Sequence, residues 1–501
     1  YLLRGFSLML SLIIFTPIVF ALLILLGAPA RKMALFSSVF VLGLTLLAFV
    51  FFQPTTEDPF QYTSSFAILP DWKLNFTVGL DGLSLVMVLL AAIVTVAAVW
   101  FTGTIEKYEG AFYACLLLIS GGALGAFSSL DLFFFYAFHE LALITTFLLI
   151  GIWGSGNRGA AAWKITIYLS IGSFILLLGL LLLYQSVPAA VRSFDMRELR
   201  AHAAAIPPDA QKNIYLLLLL GFGILVSLFP FHSWAPEAYA SAPAPAAMLH
   251  AGVLKKFGLY GLLRLAIPLV PIGARHWTWL LLILLLGNII YIGFVTLAQK
   301  KLDWMLGYSS VMHMGYIFLG FASSNVLGLT GAAVLMFAHG ISIALLFALA
   351  GEVRQRTGTL DFADLGGLGK AMPYAGLAFG FGAFAAIGLP GLANFAGEIM
   401  VFFGAFATNW EMKRFHIFQV ATVLALWGVV MSSVYMLRAY RRVFMGTVAE
   451  RCQGASDLRG SLRVPVTLLI AATVWIGFYP QALVECVAPT FRTYFNPPAS
   501  K

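Results

Sequence analysis

Residues 228–265 read LFPFHSWAPEAYASAPAPAAMLHAGVLKKFGLYGLLRL, and this stretch decides the fold of the chain. It is an apolar segment interrupted by prolines, and it places Lys255 and Lys256 inside what has the composition of a membrane helix. A charge at the middle of a bilayer costs about 3 kcal/mol on insertion scales, so it needs a partner or a water-filled path. Buried charge is therefore the feature from which we interpret the rest of the chain.

The composition indicates a membrane protein. Hydrophobic residues make up 61% of 501 positions and charged residues 10%, too few to cover the surface of a soluble domain. Runs of about 20 apolar residues recur, each long enough to cross the hydrocarbon core of a bilayer. The net charge of +9 does not require nucleic acid as a partner, because loops after odd-numbered spans hold most of the excess Lys and Arg, as the positive-inside rule predicts. The first apolar run, 6–26, is expected to be a retained helix and not a cleaved signal peptide.

The apolar runs predict an all-α protein with about fourteen transmembrane helices. Helices 7 and 12 are expected to be broken, the first at Pro230 and the second at GLPGLANFAGE, residues 388–398. Two broken helices five spans apart favour two inverted five-helix repeats, because five is odd. The predicted units are helices 1–3 (1–110), repeat 1 with helices 4–8 (111–270), repeat 2 with helices 9–13 (271–445), and helix 14 with a tail (446–501). The connection 187–212 is expected to hold an amphipathic surface helix.

Ionisable residues inside the spans are the candidate functional groups, because intramembrane charges mark ion and proton pathways. The candidates are Glu140, Lys164, Lys255, Lys256, His313, His339 and Glu398. Glu140 is either a neutral acid in a helix contact or a proton carrier, and Lys164 is either an interfacial lysine or the cation that tunes Glu140. His139 lies about 100° round the helix from Glu140 and is expected to be a packing group. His250 is a further membrane histidine beside the lysine pair.

Several classes of site are absent from the sequence. There is no GxGxxG after a strand, no GxxxxGK[ST], no CxxC and no HExxH, so no nucleotide, iron–sulphur or zinc signature appears. The three cysteines are scattered and favour neither a metal site nor a disulfide framework. We therefore expect no cofactor and no metal in this chain.

Six segments in order along the chain resemble one family, the antiporter-like chain M of the proton-pumping NADH-quinone oxidoreductase, respiratory complex I, known in mitochondria as NADH dehydrogenase subunit 4. They are GLDGLSLVMVLL (79–90), FHELALITTFLLIGIWG (138–154), the 228–265 stretch, YSSVMHMGY (308–316), AHGISIALLF (338–347) and GLPGLANFAGEIMVFFGAF (388–406). The resemblance implies that Glu140, Lys164 and Lys256 are the glutamate and lysines of helices 5, 6 and 8. It also implies that His313 and His339 lie on a central hydrated axis. Glu398 argues for chain M, since sister chains place lysine there.

The chain departs from the family pattern in three ways. The family carries a lysine in helix 7 that pairs with the helix 5 glutamate, and Leu225 stands in its place, with Ser227 where proline is common. Lys255 is an extra cation, and Asp303 with Trp304 replaces a basic pair. The chain is thus expected to be a divergent subgroup in which Lys164 or Lys255 substitutes for the missing lysine.

The resemblance implies a function and its setting. The expected function is proton translocation as a subunit of an enzyme complex, in a bacterial inner membrane, with chains L and N as neighbours. FMN, iron–sulphur clusters and quinone would be bound by other subunits. One alternative is a subunit of a Mrp-type cation/proton antiporter, or of a related membrane hydrogenase or carbon-uptake complex. A second alternative is a non-pumping structural subunit, which Leu225 favours and the retained ionisable residues oppose.

Overall fold

The computed structural model describes residues 2–55, 59–70, 73–408 and 416–495. Within them, eleven helices are long and apolar enough to cross a membrane. They are Leu2–Leu25, Ala30–Phe51, Gly82–Phe101, Glu109–Ser128, Leu132–Trp153, Arg158–Gln185, Pro208–Val226, Thr278–Leu297, Val326–Thr357, Ile417–Phe444 and Gly460–Phe478.

Three more spans are shorter, more polar or interrupted. They are the eighth at 244–269, the tenth at Leu302–Ser323, and the twelfth, which consists of Pro373–Ile387 and Ala393–Ala407. The total of fourteen confirms the prediction. Short helices Met196–Ala201, Pro271–His276 and Leu368–Ala371 lie in connections.

The two predicted breaks are present. The seventh span ends at Val226 because Ser227 takes a left-handed conformation with φ 69°, and a second short helix follows at Trp234–Ser241. The twelfth span is interrupted where Gly388 and Gly391 have φ of 81° and 89°, which glycine adopts without steric cost. Both breaks place helix termini inside the bundle, where side chains bind terminal carbonyls: Trp234 Nε1 donates to the Ile224 carbonyl at 3.1 Å.

The eighth span is irregular in a different way. It runs through Ala244–Leu249, a π-helical segment His250–Leu254, Lys256–Gly261, a second π segment Leu262–Ala266, and Ile267–Leu269. In a π turn the amide bonds to the carbonyl five residues back, and such turns often occur at functional sites. Here the Lys255 amide donates to the His250 carbonyl at 3.0 Å, so these two residues stack one turn apart.

The third and eleventh spans form the centre of the bundle. The most apolar 18 residues of each are entirely buried by other helices. The outer spans instead expose large apolar side chains, such as Trp163 and Phe174 of the sixth and Trp427 of the thirteenth. Such apolar surfaces are stable against lipid. The outer helices that carry them surround the central eleventh span, Val326–Thr357, and shield it from lipid.

Three features differ from the sequence predictions. A β-hairpin of Gln61–Leu69 paired antiparallel with Leu74–Leu80 is an exception to the all-α class. Before the seventh span begins at Pro208, the connection 187–212 holds a six-residue helix, Met196–Ala201, between 3₁₀ turns at Ala189–Val191 and Ala203–Ala205. The predicted tail contains a helix, Gln481–Phe495, after the fourteenth span.

Candidate functional site

A buried lysine and two histidines lie together at the centre of the bundle. The Lys256 ammonium donates to the Ala251 carbonyl at 2.7 Å and contacts His339 Nδ1 at 3.0 Å. An ammonium has no acceptor, so Nδ1 of His339 accepts and its proton lies on Nε2. The His339 ring centroid is 5.4 Å from that of His313, and all three side chains are buried. The predicted association of Lys256, His339 and His313 is thus present in the structure.

His313 connects this group to the broken twelfth span. Its Nδ1 lies 2.8 Å from the Ser309 carbonyl and its Nε2 lies 2.8 Å from the Ala386 carbonyl. Both partners are acceptors, so both hydrogen bonds form together only when the ring is an imidazolium. Ala386 is in the last turn of Pro373–Ile387, where unpaired carbonyls and the helix dipole favour a cation. The break therefore builds a site suited to a protonated His313.

Glu398 follows the same break, on the second half of the twelfth span. It is 4% exposed, and its Oε1 has no hydrogen-bond partner among the described residues. A Cβ added to Gly388 would lie 2.2 Å from Glu398 Oε2, so the carboxyl group packs directly against the glycine. An unpaired buried carboxylate is costly, so this group needs a proton or a water to be stable. Glu398 is therefore a buried carboxyl group beside the break that can take up a proton.

Glu140 forms a separate cluster on the fifth span. Its Oε1 accepts a short hydrogen bond from Ser173 Oγ and lies 3.6 Å from His139 Nδ1. The Ser173 hydroxyl is also 3.0 Å from the Tyr136 hydroxyl. His139 stacks on Phe257 with ring centroids 4.1 Å apart, which agrees with its predicted packing role, yet it also contacts Glu140.

The two lysines proposed as partners of Glu140 bind elsewhere. Lys164 forms an ion pair with Glu237 at 2.7 Å, and both side chains are about one-third exposed. Lys255 is buried, with its ammonium 3.4 Å from Ser310 Oγ and 5.6 Å from the Tyr239 ring centroid. Neither lysine contacts Glu140, because their helix faces direct them to other spans, and the substitution of Lys164 or Lys255 for the missing lysine stays a prediction.

Leu225 itself is buried and lines a small cavity of about 20 Å³. His139 and His250 are the polar residues of its lining, and the rest is apolar. The cavity thus lies between the Glu140 cluster and the eighth span.

A larger cavity of about 190 Å³ lies between the short helix Trp234–Ser241 and the ends of spans 5, 8, 10 and 11. Ser155, Tyr239, Asp303 and Arg354 line it, and Arg354 forms an ion pair with Asp303. Arg354 also donates to the Ala240 carbonyl at 3.1 Å. Asp303, which departs from the family pattern, therefore stabilises the arginine at the mouth of this cavity.

Several buried polar residues were missed by the sequence analysis. Asp81 caps the third span and binds Arg264 through two bonds of 2.7 and 2.5 Å, with both side chains buried. Asn288 donates to the carbonyls of Ser227 and Val311 at 3.2 and 2.8 Å, in a third π segment. An aspartate directly before an apolar run was an available N-cap signal for Asp81.

Glu237 was also missed, because its partner Lys164 lies 73 positions away in the sequence. Among the described residues no group of three His, Cys, Asp or Glu side chains is arranged to hold a metal ion.

Comparisons with known proteins agree with this arrangement. Residues 129–425 match the family described as NADH:quinone oxidoreductase/Mrp antiporter, TM. The F(420)H(2) dehydrogenase subunit M of Methanosarcina mazei is 34% identical over 484 residues, which cover 95% of each chain. The NADH-quinone oxidoreductase subunit M of Rickettsia typhi is 31% identical over 488 residues, covering 95% of this chain and 96% of that one.

A solved structure has the same fold over nearly the whole chain. A chain of respiratory complex I from Thermus thermophilus with bound NADH superimposes with a TM-score of 0.87 at 28% identity. The match covers 97% of this chain and 99% of that one.

Proposed function

This chain belongs to the NADH:quinone oxidoreductase/Mrp antiporter family, and we propose that it is a proton-translocating subunit of a quinone-reducing membrane complex. Electron transfer belongs to other subunits in this proposal, which would bind FMN, iron–sulphur clusters and quinone. The proposed setting is a bacterial inner membrane, with subunits equivalent to chains L and N as neighbours. The proposed units of the chain remain 1–110, 111–270, 271–445 and 446–501.

One observation carries the proposal. Lys256, His339 and His313 form a buried group of ionisable side chains; His313 contacts Ala386 before the break in the twelfth span, and buried Glu398 packs against Gly388 at that break. Buried ionisable groups lower the stability of a helix bundle. Their presence therefore indicates a function that requires them. Histidine takes up and releases protons near neutral pH, so two adjacent imidazoles can transfer a proton between the lysine and the glutamate.

The geometry suggests an order of events. When Lys256 is an ammonium, it donates to His339 Nδ1 and holds the proton of that ring on Nε2. Loss of the lysine proton removes this constraint, and His339 can then accept a proton on Nδ1 and release one from Nε2. His313 is stabilised as a cation by the Ser309 and Ala386 carbonyls, and Glu398 is a base without a partner among the described residues. A charge arriving from a neighbouring subunit would shift these proton equilibria in turn.

A different complex is the main alternative. The family description names Mrp antiporters together with quinone oxidoreductases, and one relative is named an F(420)H(2) dehydrogenase subunit. A membrane hydrogenase or carbon-uptake complex also remains an alternative, as does a structural subunit. Co-purification distinguishes the Mrp antiporter, because a quinone reductase brings quinone-site and iron–sulphur subunits and an antiporter does not. Quinone reduction by the purified complex distinguishes the hydrogenase and carbon-uptake alternatives from a quinone reductase. The Glu398 variant below distinguishes the last.

The test is Glu398→Gln in the intact complex, with proton pumping and quinone reduction measured in the same membranes. We expect loss of the pumping carried by this subunit, because glutamine keeps the shape of the side chain but cannot take up a proton. Glu450→Gln, on an exposed 3₁₀ turn outside the membrane, is the matched control and should pump normally. Normal pumping and normal turnover in Glu398→Gln would refute the proposal and favour a scaffold.

A further inference from the structure

The Glu140 cluster and the buried lysines are separated by Leu225. Among the described residues, the polar side chains in contact with Glu140 are Ser173, His139 and Tyr136, and none of them carries a permanent charge. The family resemblance places a lysine where Leu225 stands. A proton that moves from Glu140 toward the centre of the bundle therefore has no lysine to pass through at this position.

The cavity beside Leu225 fills this gap. Its volume of about 20 Å³ is room for about one water, which needs two or more polar partners to be stable. His139 and His250 supply them, on opposite sides of the interface between the fifth and eighth spans. The other lining residues are apolar, so the path is one water wide.

Each histidine is held in place for such a role. His139 stacks on Phe257 at 4.1 Å, and its Nδ1 has no hydrogen bond among the described residues and lies 3.6 Å from Glu140 Oε1. His250 is 5% exposed, and its Nδ1 lies 3.4 Å from the Tyr239 hydroxyl. The two side chains are therefore fixed, and each has a neighbour on the far side from the cavity.

The eighth span extends the path to Lys255. The π turn stacks Lys255 on His250, and the Lys255 ammonium lies 5.6 Å from the centroid of the Tyr239 ring that His250 touches. His250 thus lies between the first cluster and the lysine pair.

We propose that His139, one water in the cavity beside Leu225, and His250 form a proton bridge from Glu140 to Lys255. In the forward direction the Glu140 carboxyl gives a proton to one ring nitrogen of His139, which releases its other ring proton to the water. The water passes one proton to His250 and keeps its two hydrogens, and His250 releases its other ring proton toward Tyr239 and Lys255. Lys255 enters this step as a neutral amine, so the net change is a carboxylate at Glu140 and an ammonium at Lys255, with no electron transferred.

This inference rests on the proposed function, and its test uses the whole complex in proteoliposomes. His139→Phe keeps the stacking on Phe257 but cannot carry a proton, and His250→Leu keeps the apolar volume. We expect each of these two variants to lower the ratio of protons pumped to electrons transferred. The decrease should equal that of Glu398→Gln measured in parallel. His276→Phe, at an exposed position, is the matched control and should leave the ratio unchanged.

A rescue variant separates a proton path from a structural role. Leu225→Lys places an amine in the cavity, and in the His250→Leu background it should restore at least half of the lost pumping. If His250→Leu does not assemble, His250→Gln retains polarity without ring proton transfer and takes its place. The bridge is refuted if His139→Phe or His250→Leu pumps normally, or if Leu225→Lys restores nothing in an assembled complex. If Glu398→Gln also pumps normally, it is the proposed function that fails.

Discussion

Removing one member of the Asp81–Arg264 ion pair should destabilise the bundle more than removing both. The pair joins the start of the third span to the second π segment of the eighth, so it fixes the helix that carries the two buried lysines. Two hydrogen bonds of 2.7 and 2.5 Å connect the side chains. The Ser84 amide donates to Asp81 Oδ1 at 2.9 Å, and the Ser84 hydroxyl accepts from Arg264 at 2.9 Å. Arg264 Nε also donates to the Tyr260 hydroxyl at 3.2 Å.

The magnitude follows from burial. Asp81 is 0% and Arg264 6% exposed, so Arg264→Met leaves a buried carboxylate without its cation. Breaking a buried pair in this way costs about 3–5 kcal/mol, whereas replacing both charges with uncharged groups is often close to neutral. We expect Arg264→Met and Asp81→Asn each to cost about 3–5 kcal/mol, and the double variant to cost clearly less than either single variant.

The assay is unfolding of the subunit in mixed micelles as the fraction of SDS is raised, which gives an apparent free energy for each variant of the cycle. The Lys212–Asp209 pair, 2.9 Å apart with an exposed aspartate, is a matched control and should show no measurable coupling. Additive losses in the Asp81–Arg264 cycle would contradict the reasoning, because they would mean that neither charge depends on the other.

Three further predictions concern single positions. Burial raises the pKa of Asp131, the N-cap of the fifth span, from 3.8 to about 6. The contribution of Asp131 to stability therefore falls by at most about 3 kcal/mol as the pH rises from about 4 to 6. Asp131→Asn should remove this pH dependence from thermal unfolding curves of the complex. Gly388→Ala adds a Cβ 2.2 Å from Glu398 Oε2 and should abolish pumping, while Gly454→Ala has a similar φ of 78° with open space around it and should pump normally; equal pumping in both would show that the close packing is not needed. Lys255→Leu should lower the pumping ratio as much as loss of the adjacent lysine, and an unchanged ratio would remove Lys255 from the path.

The fold was largely predictable because a membrane allows few solutions. The length of apolar runs fixed the number of spans, and the two breaks followed from proline at 230 and glycines at 388 and 391. The hairpin at Gln61–Leu69 and Leu74–Leu80 was missed, because strands of nine and seven residues are too short to register in a search for membrane spans of about 20 apolar residues. The helix Gln481–Phe495 has 15 residues and was missed for the same reason.

The candidate site was predictable in its members but not in its contacts. Lys256, His313 and His339 were expected on one axis, and the structure places them together. The partner of Lys164 was not predictable, because a choice between Glu140 and Glu237 depends on how the sixth span rotates against its neighbours. The pattern of apolar residues does not reveal how the sixth span is rotated.

The π turn at His250–Leu254 explains how two adjacent lysines can act in different directions. Adjacent residues on a helix point about 100° apart, so Lys255 and Lys256 cannot share one partner. The i to i+5 bonding stacks Lys255 on His250, facing the tenth span and Tyr239, and it leaves Lys256 above Ala251, facing His339 of the eleventh span. The first lysine is thus directed toward Tyr239 and Ser310, and the second toward His339 and His313. In the proposed path a proton from Glu140 passes from Lys255 to its neighbour Lys256, and the π turn is the element that sets the directions of the two side chains.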